Sequence, residues 1–357
     1  MKTYIKFLLN LFNISFFKVF SIFFMIILII NILEQIDFFK NLNVSIVYTI
    51  FLSFLNTPSI IFEILPFIFL LGAQVFFIQL IDKNELQIFK YTGLNNIKII
   101  KILGTYSFIL GILFTVFFYN LSAILKNSYL LIKNSYTNDD KYLAVINENG
   151  LWIKDKINDN INIINAIKVD NHFLLDVSIT RFNKDFEFVE MIQSKKIDIS
   201  NNQWKIFKPT ILSNNNTNIL NKLIFESNFD LKKINGLFSN LSSLTFLQLI
   251  ELRKDYITLN YSVTDIESHL FKIISYPIYL TLITIFSAVI MFNIGYQQNS
   301  FFKIVFGILL SVVIYYINYF LNVLGTNEKI PLLLSIFFPL IILLIINFIS
   351  IIKLNEK

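Results

Sequence analysis

The sequence predicts a membrane α-helical protein: six transmembrane helices, arranged as three plus three, with an all-β domain inserted between the two sets. Only 15% of its 357 residues are charged, whereas soluble domains average about a quarter. Long apolar runs lie on both sides of a polar segment, 134–240, that is rich in Asn, Lys, Asp and Ser. These two observations favour two membrane halves around one water-exposed domain.

Each apolar run is long enough to cross a bilayer, because a hydrocarbon core of ~30 Å needs about 20 apolar residues. The predicted spans are 14–33, 60–81, 99–121, 270–290, 301–324 and 332–352. Segment 1–12 is short and amphipathic, and we expect it to lie in the membrane interface before the first span. A cleavable signal peptide is disfavoured, because the apolar run continues to Leu33 without a small-residue cleavage site.

The polar insert shows the alternation of apolar and polar residues that is typical of strands with one buried face. The alternating stretches are 143–155, 161–170, 173–183 and 195–212. Turns are expected at 149–150 and 201–202, and the strand spacing favours a sandwich or jelly roll of about 100 residues. Trp152 and Trp204 fall on predicted strands, where we expect them in the domain core.

A helix is predicted at 242–259, with Ser243 as its cap, and it links the insert to the fourth span. The predicted domains are therefore 1–130 with helices 1–3, the β domain 131–240, the linker helix 241–264, and 265–357 with helices 4–6. Asn293, Asn318 and Asn322 lie within or beside the last three spans, where we expect hydrogen bonds between helices.

Lysine placement predicts the orientation, since short cytoplasmic loops carry an excess of Lys and Arg. One side of the predicted membrane topology carries Lys2, Lys6, Lys83, Lys90, Lys98, Lys101, Lys303, Lys353 and Lys357. The short loops on the other side carry only Lys40 and Lys329. We therefore expect both termini in the cytoplasm and the β domain outside it. The same rule explains the net charge of +6 without nucleic-acid binding.

Several kinds of chemistry are disfavoured by absences. The chain has no Cys and two His, so we expect no disulfide and no metal site. It contains no phosphate-binding G-x-x-x-x-G-K-[ST], no G-x-S-x-G and no H-E-x-x-H. The chain is therefore not expected to hydrolyse ATP, to act as an enzyme or to bind a cofactor.

Four charged residues are candidates for substrate binding. Glu34, Asp37 and Lys40 follow one another at intervals of three, which places them on one helical face. That face points into a cavity, or its charges simply reach the membrane interface. Glu63 lies in the outer part of the second span, and a carboxylate there must be paired, protonated or facing water. It lines a transport path or is an interfacial acid.

The loop between spans two and three contains a short helical stretch with Glu85, Ile88 and Phe89 near one another, and Gly93 is placed to end it. One acid and an apolar face suit docking into the groove of a partner. The alternative is a solvated connecting helix.

The arrangement of six spans around a β insert, with this acidic loop helix, resembles the lipopolysaccharide export permeases of the LptF/LptG family. The motifs that carry the resemblance are E-L-Q-I-F-K-Y-T-G at 85–93, N-G-L-W-I-K-D at 149–155, I-D-F-F-K at 36–40, K-I-I-S-Y-P at 272–277 and I-P-L-L-L-S-I-F-F-P at 330–339. They are more similar to the LptG branch than to the LptF branch.

The resemblance implies a permease subunit of an ABC-type transporter, which extracts lipopolysaccharide or a related glycolipid from the inner membrane. The implied partners are a sister permease, a dimer of cytoplasmic ATPases that uses ATP, and a periplasmic bridge of jelly rolls. Glu85, Ile88, Phe89 and Gly93 would couple to the ATPase. Glu34 stands where related chains often carry a phosphate-facing Lys, so either Lys40 holds the headgroup or the glycolipid differs in charge.

Two other functions stay open on the sequence alone. The first is the transmembrane subunit of a lipoprotein-release or mechanotransmission ABC system with an extracytoplasmic domain, although such subunits usually have four spans. A membrane scaffold that binds partners through its β domain and transports nothing is the second alternative.

Overall fold

A computed structural model of the chain describes residues 3–40, 44–134, 136, 151–157, 160–170, 172–213, 216–229, 234, 240–258, 262–293 and 300–355. Its α-helices are α1 (Thr3–Phe39), α2 (Ile46–Asp82), α3 (Glu85–Tyr91), α4 (Asn96–Leu113), α5 (Tyr119–Asn134), α6 (Phe246–Thr258), α7 (Thr264–Asn293), α8 (Ser300–Thr326) and α9 (Leu332–Asn355). A π-helical turn, Phe114–Phe118, joins α4 to α5. The chain divides into a membrane unit, Met1–Lys126 with Thr264–Lys357, and a second unit, Asn127–Val263.

The six predicted spans are confirmed. Within the described ranges, the helical stretches long and apolar enough to cross a membrane are Thr3–Phe39, Ile46–Asp82, Asn96–Lys133, Thr264–Phe292, Phe301–Thr326 and Leu332–Leu354. The first two helices have 37 residues each, about 55 Å at 1.5 Å per residue. They therefore extend well beyond the hydrocarbon core, which the apolar runs alone do not predict.

The segment 1–12, predicted to lie in the membrane interface, is not separated from the first span. From Thr3 onward these residues form the first turns of α1. Leu8, Leu11 and Phe12 are buried in the main apolar core of the membrane unit, so tertiary packing holds this segment in the helix.

α2 and α7 form the centre of the membrane unit. In their most apolar stretches 67% and 61% of the residues are buried, compared with 11% in α8. Small residues allow close approach between helices: a Cβ added to Gly72 would lie 3.2 Å from the Phe16 Cα. Phe16 also contacts Phe69 of α2, with ring centroids 4.9 Å apart. Such dense contact is expected to supply the helix association that a lipid solvent does not drive.

A hydrogen bond between side chains joins two helices, as predicted, at one of the three asparagines. The Ser268 hydroxyl donates to the Asn322 side chain over 2.7 Å and links α7 to α8. Asn318 lies near the Tyr279 hydroxyl of α7. The side chain of Asn293 lies outside what the structure describes.

The second unit contains an antiparallel sheet, which confirms the predicted β insert. Its strands are β1 (Leu151–Ile157), β2 (Asn160–Asp170), β3 (Phe173–Phe182), β4 (Phe188–Asp198), β5 (Gln203–Phe207), β6 (Thr210–Ser213), β7 (Asn216–Ile219) and β8 (Lys222–Glu226). The strand order is β1-β2-β3-β4-β5-β8, while β6 pairs with β4 and with β7. Ile164, Ile179 and Ile192 are neighbours across three strands and are buried in the domain core.

The predicted alternation locates most strands but misplaces several boundaries. The stretch 195–212 contains the end of β4, a turn at 200–202, β5 and most of β6. The chain leaves β5 before β6 begins because Lys208 has a φ of 45° and Pro209 follows it. The alternation did not predict β7, β8 or the first half of β4. The predicted strand residues 143–150, including the turn at 149–150, lie outside the described residues.

Two further predictions are corrected. Trp204 is buried as expected, but Trp152 is 57% exposed, since its neighbours Leu151 and Ile153 take the inward positions of β1. Ser243 does not cap α6, because it belongs to a 3-10 turn, Leu241–Ser243. Thr245 takes that place: its hydroxyl accepts from the Gln248 N–H, and its N–H donates back to the Gln248 side chain, which is a capping box.

Candidate functional site

The short helix α3 is fixed to the membrane unit by its own apolar residues. Leu86 is 1% exposed, and Phe89 packs against Phe7 of α1 with ring centroids 5.9 Å apart. The helix ends at Gly93, as predicted: the Gly93 N–H donates to Lys90 and the Leu94 N–H to Phe89. This is a Schellman motif, which needs a left-handed residue, and Gly93 has a φ of 83°.

The outward surface of α3 carries one apolar and one aromatic side chain beside the polar Gln87 and Lys90. Ile88 is 58% exposed and Tyr91 is 87% exposed. Glu85 is half-buried, and its Oε2 is shielded without a hydrogen-bond partner among the described residues. Of the predicted coupling residues, Ile88 therefore faces outward and Phe89 faces α1. Tyr91 was not among the predicted coupling residues, although its spacing of three from Ile88 places both on one helical face.

The predicted charged face at the end of α1 is helical and exposed. Glu34 and Asp37 lie in the last turns of α1, Lys40 follows its end, and all three are exposed. The Lys40 N–H donates to the Asp37 carbonyl over 3.3 Å, so the chain keeps its helical course to this point. The three residues share one face of the helix, as their spacing predicts.

Glu63 lies apart from these three residues. Asn31 of α1 donates to the Thr57 hydroxyl of α2 over 3.2 Å, and this pair gives the register of the two antiparallel helices. Glu34 follows Asn31 by three residues, while Glu63 follows Thr57 by six, in the opposite direction. At 1.5 Å per residue the two acids are about 14 Å apart along the helix axes. The candidate residues therefore form two sites.

Glu63 belongs to a cluster that sequence reasoning missed. It lies near enough to Lys126 of α5 and to Lys272 of α7 for each lysine to feel its charge, although it forms no ion pair within 4 Å among the described residues. Glu63 and Lys272 are exposed on the membrane unit, and Lys126 is half-buried. With two ammonium groups and one carboxylate, the three side chains carry a net charge of +1. We call this set the outer charge cluster.

An aromatic layer positions the outer charge cluster. The ring of Phe62, next to Glu63, lies 5.2 Å from Tyr119 and 4.5 Å from Tyr276, measured between centroids. The Tyr119 hydroxyl shares a 3.1 Å hydrogen bond with Nε2 of His269. These contacts join α2, α5 and α7 at one level. Lys126 lies two turns beyond Tyr119, and Lys272 one turn before Tyr276.

In the β domain, the motif at 149–155 ends in a buried carboxylate. Asp155 is fully buried and accepts from the Ser227 hydroxyl (2.7 Å), the Asn228 side chain (2.8 Å) and the Asn228 N–H (3.2 Å). Two residues further on, the Phe229 carbonyl accepts from the Trp204 indole over 2.7 Å. The Asp thus ties β1 to the segment after β8, which is a structural role.

Comparison with known proteins identifies the family. No curated protein matches the sequence. The family model for the lipopolysaccharide export system permease LptF/LptG matches residues 6–353, which includes both sets of helices and the β insert. The family and the six apolar helices together indicate a multi-pass protein of the inner membrane. The chain belongs to the LptF/LptG family of lipopolysaccharide export permeases.

Proposed function

We propose that this chain, as an LptG-like permease, works with a sister permease and two cytoplasmic ATPases to extract lipopolysaccharide from the inner membrane and pass it to a periplasmic bridge. The observation that carries the proposal is α3. Its buried Leu86 and its Phe89 fasten it to the permease, and its exposed Ile88 and Tyr91 remain available to a partner. Residues of this type supply most of the energy where helices dock into grooves.

We assign the α3 side of the bundle to the cytoplasm. The contact of Phe7 with Phe89 places the start of α1 beside α3. Phe77 and Phe292, whose centroids are 4.9 Å apart, place the ends of α2 and α7 together on this side. Lys83, Lys90, Lys98 and Lys101 lie in or beside the loop that contains α3. The positive-inside rule supports the assignment, and the ATPases would then meet α3 directly.

Lipid recognition is assigned to charges on the opposite side. Lys40, beyond the end of α1, contacts the glycolipid headgroup in this proposal, with Glu34 and Asp37 limiting how much anionic charge binds there. Lys126 and Lys272 attract a second phosphate deeper in the bilayer, and Glu63 keeps the local charge low enough for release. An exposed ion pair contributes ~0.2–1 kcal/mol. Replacing both lysines by Gln should therefore lower lipid retention roughly two- to thirtyfold.

The coupling role of α3 is tested by charge substitutions on its outward surface. Ile88→Asp should reduce co-purification of the ATPase at least about 30-fold, since losing an interface anchor costs about 2 kcal/mol or more. Glu85→Lys should likewise abolish coupling while leaving membrane insertion intact. Val47→Asp, on an exposed residue near the opposite end of α2, is the matched control and should retain the ATPase. Full retention by Ile88→Asp would exclude α3 as the docking element.

A further inference from the structure

Four of the membrane helices carry an irregularity at the same distance from the α3 side. Pro66 lies 16 residues before the end of α2, Pro277 lies 16 before the end of α7, and Pro339 lies 16 before the end of α9. Each distance is about 24 Å at 1.5 Å per residue. The π-helical turn Phe114–Phe118 begins 18 residues after the start of α4, about 27 Å along its axis.

Direct contacts confirm that three of these irregular positions are neighbours. Gly111, one turn before the π-helical turn, lies against Pro277, since an added Cβ would be 2.9 Å from the Pro277 Cα. Phe69 of α2, one turn past Pro66, lies 6.0 Å from Phe114 between ring centroids. Interior prolines and π-helical turns are the usual sites of sharp helix bending.

One hydrogen bond joins two of these positions chemically. Proline has no N–H, so Pro66 leaves the carbonyl four residues earlier, that of Phe62, without its helical donor. The Tyr276 hydroxyl donates to this carbonyl, and Tyr276 directly precedes Pro277. An unsatisfied carbonyl inside a bilayer is strongly unfavourable, because no water is available there as a donor. The proline position of α2 is therefore bonded to the residue beside the proline of α7.

We propose that Pro66, Pro277, Pro339 and the turn Phe114–Phe118 form one hinge layer, with Tyr276 linking the bending of α2 to that of α7. The outer segments of these helices move together relative to the α3 side. Glu63 and Lys272 lie just beyond the layer, and Lys126 lies eight residues past the π-helical turn, so the outer charge cluster moves with the outer segments. The consequence for lipid handling rests on the proposed function, whereas the hinge itself does not.

The hinge can be measured with spin labels, because the chain has no natural Cys. One label pair joins the two sides of the layer: Phe54→Cys on the outer part of α2 and Ile352→Cys near the end of α9, both at exposed residues. Phe54 is 12 residues from Pro66, about 18 Å, so a bend of about 20° moves it by about 6 Å. The second pair, Phe54→Cys with Ile274→Cys on α7, stays on the outer side.

In the full chain in lipid nanodiscs, the pair across the layer should show a distance spread of about 6 Å, and the outer pair should stay narrow. Pro66→Ala should narrow the first distribution, while Pro58→Ala, in the same helix but outside the layer, should not. Tyr276→Phe should broaden the outer pair, whereas Tyr279→Phe should leave it unchanged. A narrow distribution across the layer, or equal effects of Pro58→Ala and Pro66→Ala, would overturn the proposal whether or not any ATPase binds. If the Tyr276→Phe variant does not insert into the membrane, the comparison of Pro66→Ala with Pro58→Ala tests the hinge.

Discussion

Replacing Asp155 by Asn should destabilise the β domain by about 2–3 kcal/mol. The buried carboxylate accepts three hydrogen bonds, two at Oδ2 and one at Oδ1. Asn has the same shape but only one acceptor oxygen, so at least one donor from Ser227 or Asn228 would face an NH₂ group. A hydrogen bond to a charged group contributes about 1.5–3 kcal/mol, and the remaining ones weaken when the charge is lost.

The assay is thermal unfolding of the full chain in lipid nanodiscs, followed by tryptophan fluorescence. The chain has two Trp, Trp152 and Trp204, and both lie in the β domain, so the signal reports this domain alone. Trp204 is the more informative, because its indole donates to Phe229, next to the residues that Asp155 holds. A loss of about 2–3 kcal/mol corresponds to a Tm lower by roughly 6–12 °C in a domain of this size.

Asp185→Asn is the control, since Asp185 is exposed and surface changes usually stay within about 0.5 kcal/mol. If Asp155→Asn and Asp185→Asn shift the Tm equally, the carboxylate does not hold the segment after β8. The structural role assigned to the end of the motif at 149–155 would then be wrong.

Two glycines in the membrane unit give further predictions. Gly111→Ala should destabilise the helical bundle by about 1–3 kcal/mol, because its Cβ would approach the Pro277 backbone to 2.9 Å. The loss of stability is measured as a shift in the midpoint of unfolding in detergent mixtures. Gly93→Ala meets no neighbouring atom but places a side chain at a φ of 83°. It should cost about 1–2 kcal/mol, seen as faster amide exchange at residue 93 and at Leu94, whose N–H groups donate the two bonds of the motif.

Each glycine has a control in the same region. Gly104→Ala, also in α4, would contact side-chain atoms alone, the end of Ile285 at 3.2 Å and the Thr281 methyl group at 4.0 Å, and should be close to neutral. An equal effect at Gly104 and Gly111 would argue against a close backbone contact at Pro277. For Gly93, substitution by Asn should cost less than substitution by Ala, since Asn tolerates the left-handed region better. The reverse order would contradict the Schellman motif.

Features with a local signal were predictable from the sequence. About 20 apolar residues suffice to define a span, and alternation along 173–183 located β3 within one residue. The helical pattern also placed Glu85, Ile88 and Phe89 on one short helix. It did not show which face of α3 points inward, because Leu86 is buried in the membrane core and Phe89 contacts Phe7 of α1. Such tertiary contacts leave no local pattern in the sequence.

Features that depend on residues distant in the sequence could not be predicted from it. The outer charge cluster combines residues of three separate segments: Glu63, Lys126 and Lys272. Each of them, taken alone, has the sequence pattern of a charge at the membrane interface. Tyr276 and Phe62 are 214 residues apart, so the proline pattern of α2 gives no hint of its donor in α7. The placement of Glu63 away from Glu34 likewise depends on the register between α1 and α2, which Asn31 and Thr57 define.

The central claim is that this chain is the permease of a lipid exporter powered by a separate ATPase. Gentle affinity purification from its native membrane, with mass spectrometry of everything retained, tests this most directly. The account predicts a second six-span permease, a soluble ATPase and bound lipopolysaccharide, with the ATPase lost from the Ile88→Asp variant. Recovery of the chain alone, with ordinary phospholipid and no ATPase, would contradict the account and favour a membrane scaffold.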